Sequence, residues 1–305
     1  GLREFKEEIL AKPSATQLDV SKNSIGNMSD EFVEILSETI SSLEKLERLS
    51  LAENALCNLS PTGVKSLFNG ISKISSLKYL WLDDNMLEQF SIATAREWSD
   101  GFKKISSITH LSLKNNRFVK SEDKEFDLFL EGFSSFSQVQ VFDLGGISAP
   151  GDSKRNIYKL IEQFVHFKQL RALEFQWNEV GLLTPGAIKT LFDRLGERAG
   201  FKYLSLKNNR LNELSMDSWT ELFFGLKKLE KLEVLDLRNN NLRKNEIHPF
   251  FYLEKLMKTV TEIPSLKVVM IPWEEDEQVT VRKILRKGGF VRGSKDCWRR
   301  KAANP

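Results

Sequence analysis

The chain has 305 residues, is 41% hydrophobic and carries a formal net charge of +3 at pH 7. Its two cysteines, Cys57 and Cys297, exclude a disulfide framework and fit a reducing compartment. The sequence has no signal peptide and no run of about 18 apolar residues, so it predicts no membrane span and we expect a cytoplasmic protein.

Residues 1–14 predict a short helix that caps the fold. Leu2, Phe5, Ile9 and Leu10 follow a helical pattern that ends before Pro13. A repeat array follows this segment, and the first repeat would otherwise expose its core edge to water. We therefore expect the helix to cover that edge.

One apolar string recurs through residues 15–274 and ends in asparagine. The string is L-x-x-L-x-L-x-x-N, and its asparagines are spaced by 31 residues or twice 31. They are Asn23, Asn54, Asn85, Asn116, Asn178, Asn209 and Asn240. A fixed period of this length marks a stacked repeat protein. The L-x-L segment alternates as a short strand with one buried face does.

A helix is predicted in each repeat, because apolar residues recur 10, 13, 17 and 20 positions after the asparagine. The asparagine is expected to satisfy turn backbone groups and to bond to the next repeat. Stacking then gives a parallel sheet covered by helices. Strands pack about 4.8 Å apart and helices about 8 to 10 Å apart, so the stack should bend into a horseshoe.

The string resembles the leucine-rich repeat family, specifically its ribonuclease-inhibitor-like branch. The resemblance implies an α/β solenoid of about nine strands, with a parallel concave sheet and convex helices. The repeat is longer than is common in that branch and lacks the cysteine columns of vertebrate ribonuclease inhibitor, so the chain is not assigned to that inhibitor. Its Lys-, Asn- and Phe-rich composition resembles repeat effectors of intracellular bacteria, which act in the host cell cytosol.

One repeat is irregular. Ile147 stands where the register expects asparagine, and residues 145–152 read Gly-Gly-Ile-Ser-Ala-Pro-Gly-Asp. The glycines and Pro150 predict a flexible or redirected loop. A functional loop and simple sequence drift are both compatible with this pattern.

Residues 275–305 predict a C-terminal cap followed by a basic tail. A helical pattern ends at Gly288-Gly289, and residues 280–305 hold nine Lys or Arg residues and one acid, Asp296. Such a tail can attract anionic lipid or nucleic acid. The simpler interpretation is a solvated extension that aids solubility.

No catalytic or metal-binding pattern is present in the sequence. The three histidines, His110, His166 and His248, fall at different offsets without metal-ligand spacing, and no phosphate-binding loop occurs. An open horseshoe also offers few water-excluding pockets. We expect no enzyme activity, no cofactor, no metal and no small-molecule substrate.

The residues between the strand leucines should project from the concave face, where aromatic side chains and carboxylates occur together. This pattern favours a protein partner with basic elements. We expect the chain to be monomeric when free. The predicted partner-binding residues are Tyr79, Trp81, Asp83, Asp84, His110, Asp143, Glu174, Trp177, Tyr203, Asp236, Arg238 and Trp273. The sequence thus predicts a protein-interaction module that inhibits an enzyme by stoichiometric binding, or serves as an effector or adaptor.

Two alternatives remain open. A GTPase-activating protein of the leucine-rich-repeat type shares this fold, but that family carries a strongly acidic C-terminal tail. Here the tail is basic, and the acidic run is limited to residues 274–277. The other alternative is binding of anionic lipid or nucleic acid through the basic tail, which salt dependence would reveal.

Overall fold

The computed structural model describes residues 2–118, 123–148, 154–242, 250–272, 279–294 and 296–301. The chain forms two compact units, an N-terminal unit from residues 1–148 and 155–169 and a C-terminal unit mainly from residues 170–305. Both units are built from strand, turn and helix in the predicted order. The predicted α/β leucine-rich-repeat solenoid, with an open parallel sheet and packed helices, is confirmed.

The strands are short, and those of the repeats pair in parallel within each unit. The central residue of each strand aligns with that of its neighbour, as Leu80 does with Leu49 and Leu111. The N-terminal unit holds β1 (Gln17–Asp19), β2 (Arg48–Ser50), β3 (Tyr79–Trp81), β4 (His110–Ser112) and β5 (Val141–Asp143). The C-terminal unit holds β6 (Ala172–Glu174), β7 (Tyr203–Ser205), β8 (Val234–Asp236), β9 (Val268–Met270), β10 (Phe290–Arg292) and β11 (Cys297–Arg300).

Helices follow the strands and pack against their neighbours in the same unit. In the N-terminal unit they are α1 (Leu2–Leu10), α2 (Asp30–Ser41), α3 (Pro61–Ile71), α4 (Ile92–Lys103), α5 (Asp123–Glu131) and α6 (Lys154–Gln163). In the C-terminal unit they are α7 (Pro185–Gly196), α8 (Met216–Lys228), α9 (Phe251–Glu262) and α10 (Val279–Lys287). No helix in the described ranges is long and apolar enough to cross a membrane.

A serine or threonine six residues after the asparagine starts many of these helices. Its hydroxyl oxygen accepts the backbone N–H three residues later, at 2.9 to 3.3 Å. These N-caps are Ser29, Ser60, Ser91, Thr184 and Ser215. Each satisfies a backbone donor that has no partner inside the helix, so the repeat sequence fixes where the helix begins.

The repeat asparagines form a buried ladder. Asn85 Oδ1 accepts the backbone N–H of Asn54 at 2.9 Å, and Asn85 Nδ2 donates to the carbonyls of Leu51 and Leu82 at 3.0 and 2.9 Å. The same bond joins the backbone N–H of Asn178 to Asn209 Oδ1 at 2.8 Å in the C-terminal unit. These contacts confirm that the asparagine satisfies turn groups and bonds to the adjacent repeat.

The residues on either side of the asparagines adopt left-handed backbone conformations. Asp84 and Met86, which flank Asn85, have φ of +54° and +58°. In the irregular repeat, Gly146 has φ of +67° and Ile147 is fully buried in place of asparagine. The strand geometry of this repeat therefore survives without the carboxamide, while residues 149–152 of the predicted loop lie outside the described residues.

The core follows the predicted apolar columns. The side chains 13 and 17 positions after each asparagine are buried throughout, and in the N-terminal unit Trp98, Phe102, Phe129 and Phe133 contact one another. Phe250 departs from the prediction. It is only half-buried, because it precedes α9 with φ of +79° instead of occupying the buried side of the helix.

The N-terminal helix α1 contacts α2. Its Ile9 side chain is buried, whereas Leu10 is 45% exposed. The side chains of Leu2 and Phe5, which the sequence pattern also assigned to this helix, lie outside the described residues. The placement of α1 agrees with a cap over the first repeat, and the boundary at residue 14 stays a prediction.

The C-terminal residues form two strands where the sequence predicted a basic tail. β10 and β11 form an antiparallel hairpin, and β11 also pairs with β9. Phe290 and Trp298 in this hairpin are each 1% exposed. The interpretation of the basic tail as a solvated extension is therefore wrong for these two strands, because they complete the edge of the sheet.

Arg300, in the same C-terminal segment, makes hydrogen bonds and a ring contact within the fold. Its guanidinium donates hydrogen bonds to the carbonyls of Thr261, Ile263 and Pro264 at 2.8 to 2.9 Å. It also lies over the Phe290 ring, with Cζ 4.7 Å from the ring centroid, which is within the limit of about 6 Å for a cation–π contact. Arg300 therefore closes the C-terminal end of α9 and contributes to stability.

Candidate partner-binding face

Alternation along the strands places two sets of side chains on opposite sides of the sheet. The central residue of each repeat strand points toward the helices, as buried Leu80 and Leu204 do. We define the strand face as the residues at the first, third and fifth positions counted from the start of each strand. The sixth position, which includes Asp84 and Trp177, forms its rim.

Planar side chains stack across β2, β3 and β4 in the N-terminal unit. The Tyr79 ring lies between the Arg48 guanidinium, with Cζ 4.6 Å from the ring centroid, and the His110 ring, with centroids 4.1 Å apart. Trp81 stacks beside Tyr79 with centroids 5.9 Å apart and planes 16° apart. We call Tyr79, Trp81 and His110 the aromatic cluster. All three are half-buried, so each ring is held by its neighbours and still reaches the surface.

The surroundings of His110 keep its ring uncharged near neutral pH. Its Nδ1 is 2.9 Å from the hydroxyl of Thr109. Burial lowers the pKa of His110 below its ordinary value, and the positive charge of Arg48 lowers it further. A neutral imidazole suits the stacked position beside Tyr79, where a second cation would face Arg48.

Asp83 and Asp84 lie beside the aromatic cluster but differ in environment. The Ser112 hydroxyl and the Lys114 backbone N–H both donate to Asp83 Oδ1, the latter at 3.2 Å. Burial nevertheless raises the pKa of Asp83, because loss of water outweighs those bonds. Asp84 is exposed at the rim, where Asn115 Nδ2 lies 3.3 Å from Asp84 Oδ2.

A hollow of about 510 Å³ lies next to the aromatic cluster. Its sides include Asp19 from β1 and Trp81 and Asp83 from the β3 repeat, and the small side chains of Ser50 and Ala52 lie between them. Asp19 is exposed, and hydrogen bonds from Ser21 lower the pKa of Asp19. The hollow therefore combines an aromatic ring with two carboxylates.

The C-terminal unit carries a different arrangement on its strand face. Asp236 is 2% exposed, and the Arg238 guanidinium binds both of its carboxylate oxygens at 2.6 to 3.1 Å. Tyr203 is half-buried and hydrogen-bonded to Glu174. Burial, followed by the negative charge of Glu174, raises the pKa of Tyr203 well above its ordinary value.

Trp177 stands alone among these aromatic residues in its exposure and backbone conformation. Its side chain is 60% exposed, and its φ of +60° lies in the left-handed region. In other repeats the same position holds a small or polar residue such as Glu53 or Asn208. Left-handed backbone is unfavourable for a bulky side chain, so Trp177 carries strain without burial in return.

The structure brings together only some of the predicted partner-binding residues. Tyr79, Trp81, Asp83 and His110 are neighbours, with Asp84 at the rim. Asp143, on β5, is half-buried and accepts the Gly145 backbone N–H at 2.8 Å.

One predicted position differs from the expectation of an accessible binding group. Asp236 was predicted to offer a carboxylate to a partner, but it is buried and bound by Arg238, so the expectation of accessibility is wrong. Trp273 lies outside the described residues. Sequence reasoning did not select Arg48 or Asp19 for the site. Alternation had already placed Arg48 on the strand face, and extending the pattern back to β1 would have placed Asp19 there too.

The chemistry of the described residues gives no metal centre, since no group of three or more His, Cys, Asp or Glu side chains among them could hold an ion. Both cysteines are buried and free. The geometry of the strand face is that of a surface for contact, with stacked rings and fixed polar groups.

A family model described as Leucine Rich Repeat matches residues 231–253. No curated protein matches the chain. Among solved structures, the chain is similar to the leucine-rich repeat-containing protein LegL7 from Legionella pneumophila, with 17% identity, coverage of 92% of this chain and 93% of that chain, and a TM-score of 0.49. It is also similar to the tropomodulin C-terminal domain from Caenorhabditis elegans, with 17% identity, coverage of 53% and 92%, and a TM-score of 0.37.

The repeat register, the buried asparagine ladder and the match over residues 231–253 show that the chain has a leucine-rich repeat fold. This fold supports a general role as a protein-interaction module. Leucine-rich repeat proteins are typically non-enzymatic binding modules.

Proposed function

We propose that the chain binds a protein partner through the strand face of its N-terminal unit. The observation that carries this proposal is the aromatic cluster, in which Tyr79, Trp81 and His110 stack outside the core on two neighbouring strands. Tyrosine and tryptophan dominate the binding energy of protein interfaces, because their large rings lose little conformational freedom on binding.

The contacts within the cluster support recognition without a large rearrangement. Tyr79 is held between Arg48 and His110, so its ring is already ordered before a partner arrives. A preorganised contact surface avoids part of the entropy cost of association. The neighbouring carboxylates of Asp83 and Asp84 favour a partner with basic elements.

Within this function, the specific activity we propose is one-to-one occlusion of an enzyme, and an effector or adaptor role is the alternative form. A preordered face suits such stoichiometric binding, because it can cover a partner surface without catalysing a reaction itself. Titration of the purified partner enzyme should show activity falling linearly to a residual level at one equivalent of chain. Persistence of full enzyme activity in the saturated complex would favour the adaptor form.

The binding experiment starts with capture of a partner on the purified chain and its identification by mass spectrometry. Calorimetry would then compare Trp81→Ala with Lys65→Ala, a change at an exposed position of α3 on the helix side. Truncation of a hot-spot aromatic costs about 2 kcal/mol or more, which is roughly a thirtyfold loss of affinity. We expect that loss for Trp81→Ala and little change for Lys65→Ala.

The reverse outcome would contradict the proposal. If Lys65→Ala abolished the complex and Trp81→Ala bound normally, with an unchanged thermal melt, the strand face would not be the binding surface. Tyr79→Ala gives an independent check on the same face, because it removes the ring between Arg48 and His110.

A second candidate function, binding of polyanions, is supported by α10. Lys283, Arg286 and Lys287 are exposed on this helix, opposite the buried side chains of Val281 and Leu285. Binding to phosphates would weaken steeply as salt rises, because each neutralised phosphate releases counterions. Lys283→Gln with Arg286→Gln and Lys287→Gln should then reduce both affinity for a single-stranded oligonucleotide and its salt dependence. Absence of salt-dependent binding by the unaltered chain would exclude this function.

A further inference from the structure

The hollow beside Trp81 is shaped by the residues of three neighbouring strands. Asp19, Ser50 and Trp81 are in register as the third residues of β1, β2 and β3. Since adjacent strands lie about 4.8 Å apart, the backbones carrying Asp19 and Trp81 are roughly 10 Å apart. Ser50 is too small to fill that interval, and Ala52 continues the gap next to Asp83. The hollow therefore has room for a planar side chain between a carboxylate and an indole.

The orientation of the indole makes its ring face available to the hollow. The planes of the Trp81 and Tyr79 rings differ by 16°, so the faces of the two rings point in nearly the same direction. On Tyr79, the face toward β2 is covered by the Arg48 guanidinium at 4.6 Å. On Trp81, the corresponding neighbour is Ser50, whose side chain is too short to cover the ring. The contact between Arg48 and Tyr79 is therefore an example, within this chain, of a guanidinium stacked on a ring of the aromatic cluster.

The charges at the edges of the hollow favour a cation. Asp19 and Asp83 border it, while the nearby Lys22 is engaged by Glu53 at 3.2 Å. The cation bordering the hollow, Arg48, is held over Tyr79. Burial raises the pKa of Asp83, which means that its carboxylate is poorly solvated in the folded chain. An incoming positive charge would offset part of that loss of hydration.

We infer that the hollow receives an arginine side chain of the protein partner, stacked on Trp81 and hydrogen-bonded to Asp83 and Asp19. The inference rests on the proposed function and specifies the chemistry of the partner. Arginine fits better than lysine because its planar guanidinium can stack on a ring while its N–H groups point outward toward carboxylates. A neutral aromatic side chain would fill the hollow but would bring no positive charge to Asp19 and Asp83.

The first test uses N-acetyl-arginine amide as the probe and N-acetyl-citrulline amide as its uncharged match. Each is titrated into the full chain while the Trp81 indole N–H is followed by NMR, with Trp81→Phe used to assign that signal. A cation stacked on an aromatic ring contributes about 0.5 to 2 kcal/mol, or roughly twofold to thirtyfold in affinity. We expect the arginine probe to bind tighter than the citrulline probe by a factor in that range.

Variants of the hollow sharpen the test. Asp19→Asn and Asp83→Asn should each reduce the preference for arginine over citrulline, and Ser50→Leu should block both probes by filling the space beside Trp81. Asp100→Asn, the same chemical change on α4, serves as the matched control and should leave both affinities unchanged. Asp19 is exposed, so its variant stays informative even if Asp83→Asn unfolds the chain.

Two outcomes separate this inference from the proposed function. The first is equal binding of the two probes. The second is a partner affinity that Ser50→Leu leaves unchanged while Trp81→Ala weakens the complex. Either outcome would overturn the arginine inference and leave the strand-face proposal standing. A partner complex unaffected by Trp81→Ala, Tyr79→Ala and Ser50→Leu would overturn both. A preference for arginine that disappears in the Asp19 variant, together with loss of the partner complex on Ser50→Leu, would support both.

Discussion

The strand faces of the two units share one leucine pattern but differ in how their carboxylates are used. In the N-terminal unit, Asp83 lies at a hollow beside Trp81 and is bonded to Ser112 and Lys114. In the C-terminal unit, Asp236 is 2% exposed and its two oxygens are bound by Arg238. A buried carboxylate bound by an arginine of its own chain contributes to stability, whereas one that borders a surface hollow can still serve recognition. Asp83 lies at the fifth position of its repeat and Asp236 at the third, so the shared leucine pattern does not give the two carboxylates the same surroundings.

The largest expected effect is the loss of stability on truncating a core leucine in either unit. It tests whether the two units differ only in their outward residues. Leu111 in the N-terminal unit and Leu206 in the C-terminal unit are 2% and 0% exposed. Leu111→Ala and Leu206→Ala should each lower the free energy of unfolding by about 2 to 5 kcal/mol, because both leave a cavity in the core. Chemical denaturation monitored by circular dichroism measures the cost. An unchanged midpoint for either variant would show that its strand register is misassigned.

The second prediction concerns the carboxylates themselves. Asp236→Ala should lower the free energy of unfolding by about 1 to 3 kcal/mol, since it leaves the partly buried Arg238 guanidinium without its acceptor. Asp83→Ala should cost less, because burial already disfavours the Asp83 carboxylate in the folded state. Denaturation of the two variants in parallel gives the comparison. A larger cost for Asp83→Ala would reverse the roles assigned to the two faces.

Trp177 provides a prediction of opposite sign. Its backbone has φ of +60°, a conformation that costs a bulky residue roughly 1 to 2 kcal/mol but that asparagine tolerates. Because the side chain is 60% exposed, little packing is lost on its removal. Trp177→Asn should therefore raise the free energy of unfolding by up to about 1 kcal/mol. Trp177→Leu keeps the strain and is the control, so equal stabilisation by both changes would refute the backbone explanation.

The smallest expected effect is a pH dependence that originates in the aromatic cluster. Burial and the charge of Arg48 lower the pKa of His110, so the unfolded chain takes up a proton more readily than the folded chain. The free energy of unfolding should fall as pH drops through the ordinary histidine pKa of about 6.5, and this fall should end below the folded pKa. His166 contributes in the same direction, because burial and Lys168 lower its pKa.

Thermal melts of the unaltered chain and of His110→Gln between about pH 7.5 and 5.5 check this assignment, with Lys65→Gln as the control. The His110 variant should lose less stability on acidification than the other two. Protonation of Asp83 acts in the opposite direction, because burial raises its pKa, but all three proteins retain Asp83. Identical pH profiles for all three proteins would remove His110 as a source of the effect.

The repeat unit can be predicted from the sequence alone, because residues separated by one period become neighbours when repeats stack. Asn54 and Asn85 are one period apart and are joined directly by a hydrogen bond of 2.9 Å. The same logic predicted the buried helical columns and placed Tyr79, Trp81 and His110 on one face. These features follow from the periodicity of the apolar residues and asparagines, which is visible in one sequence.

The contacts that the outward side chains make on that face could not be predicted in this way. Alternation fixes the side of the sheet from which a residue projects, but not the group that it meets there. The stacking of Arg48 on Tyr79 and the closure of Asp236 by Arg238 depend on side-chain geometry that no periodicity encodes. The burial of Trp298 likewise required the hairpin to pair with β9, a contact outside the repeat register, so composition alone suggested a basic tail where the chain forms part of the sheet.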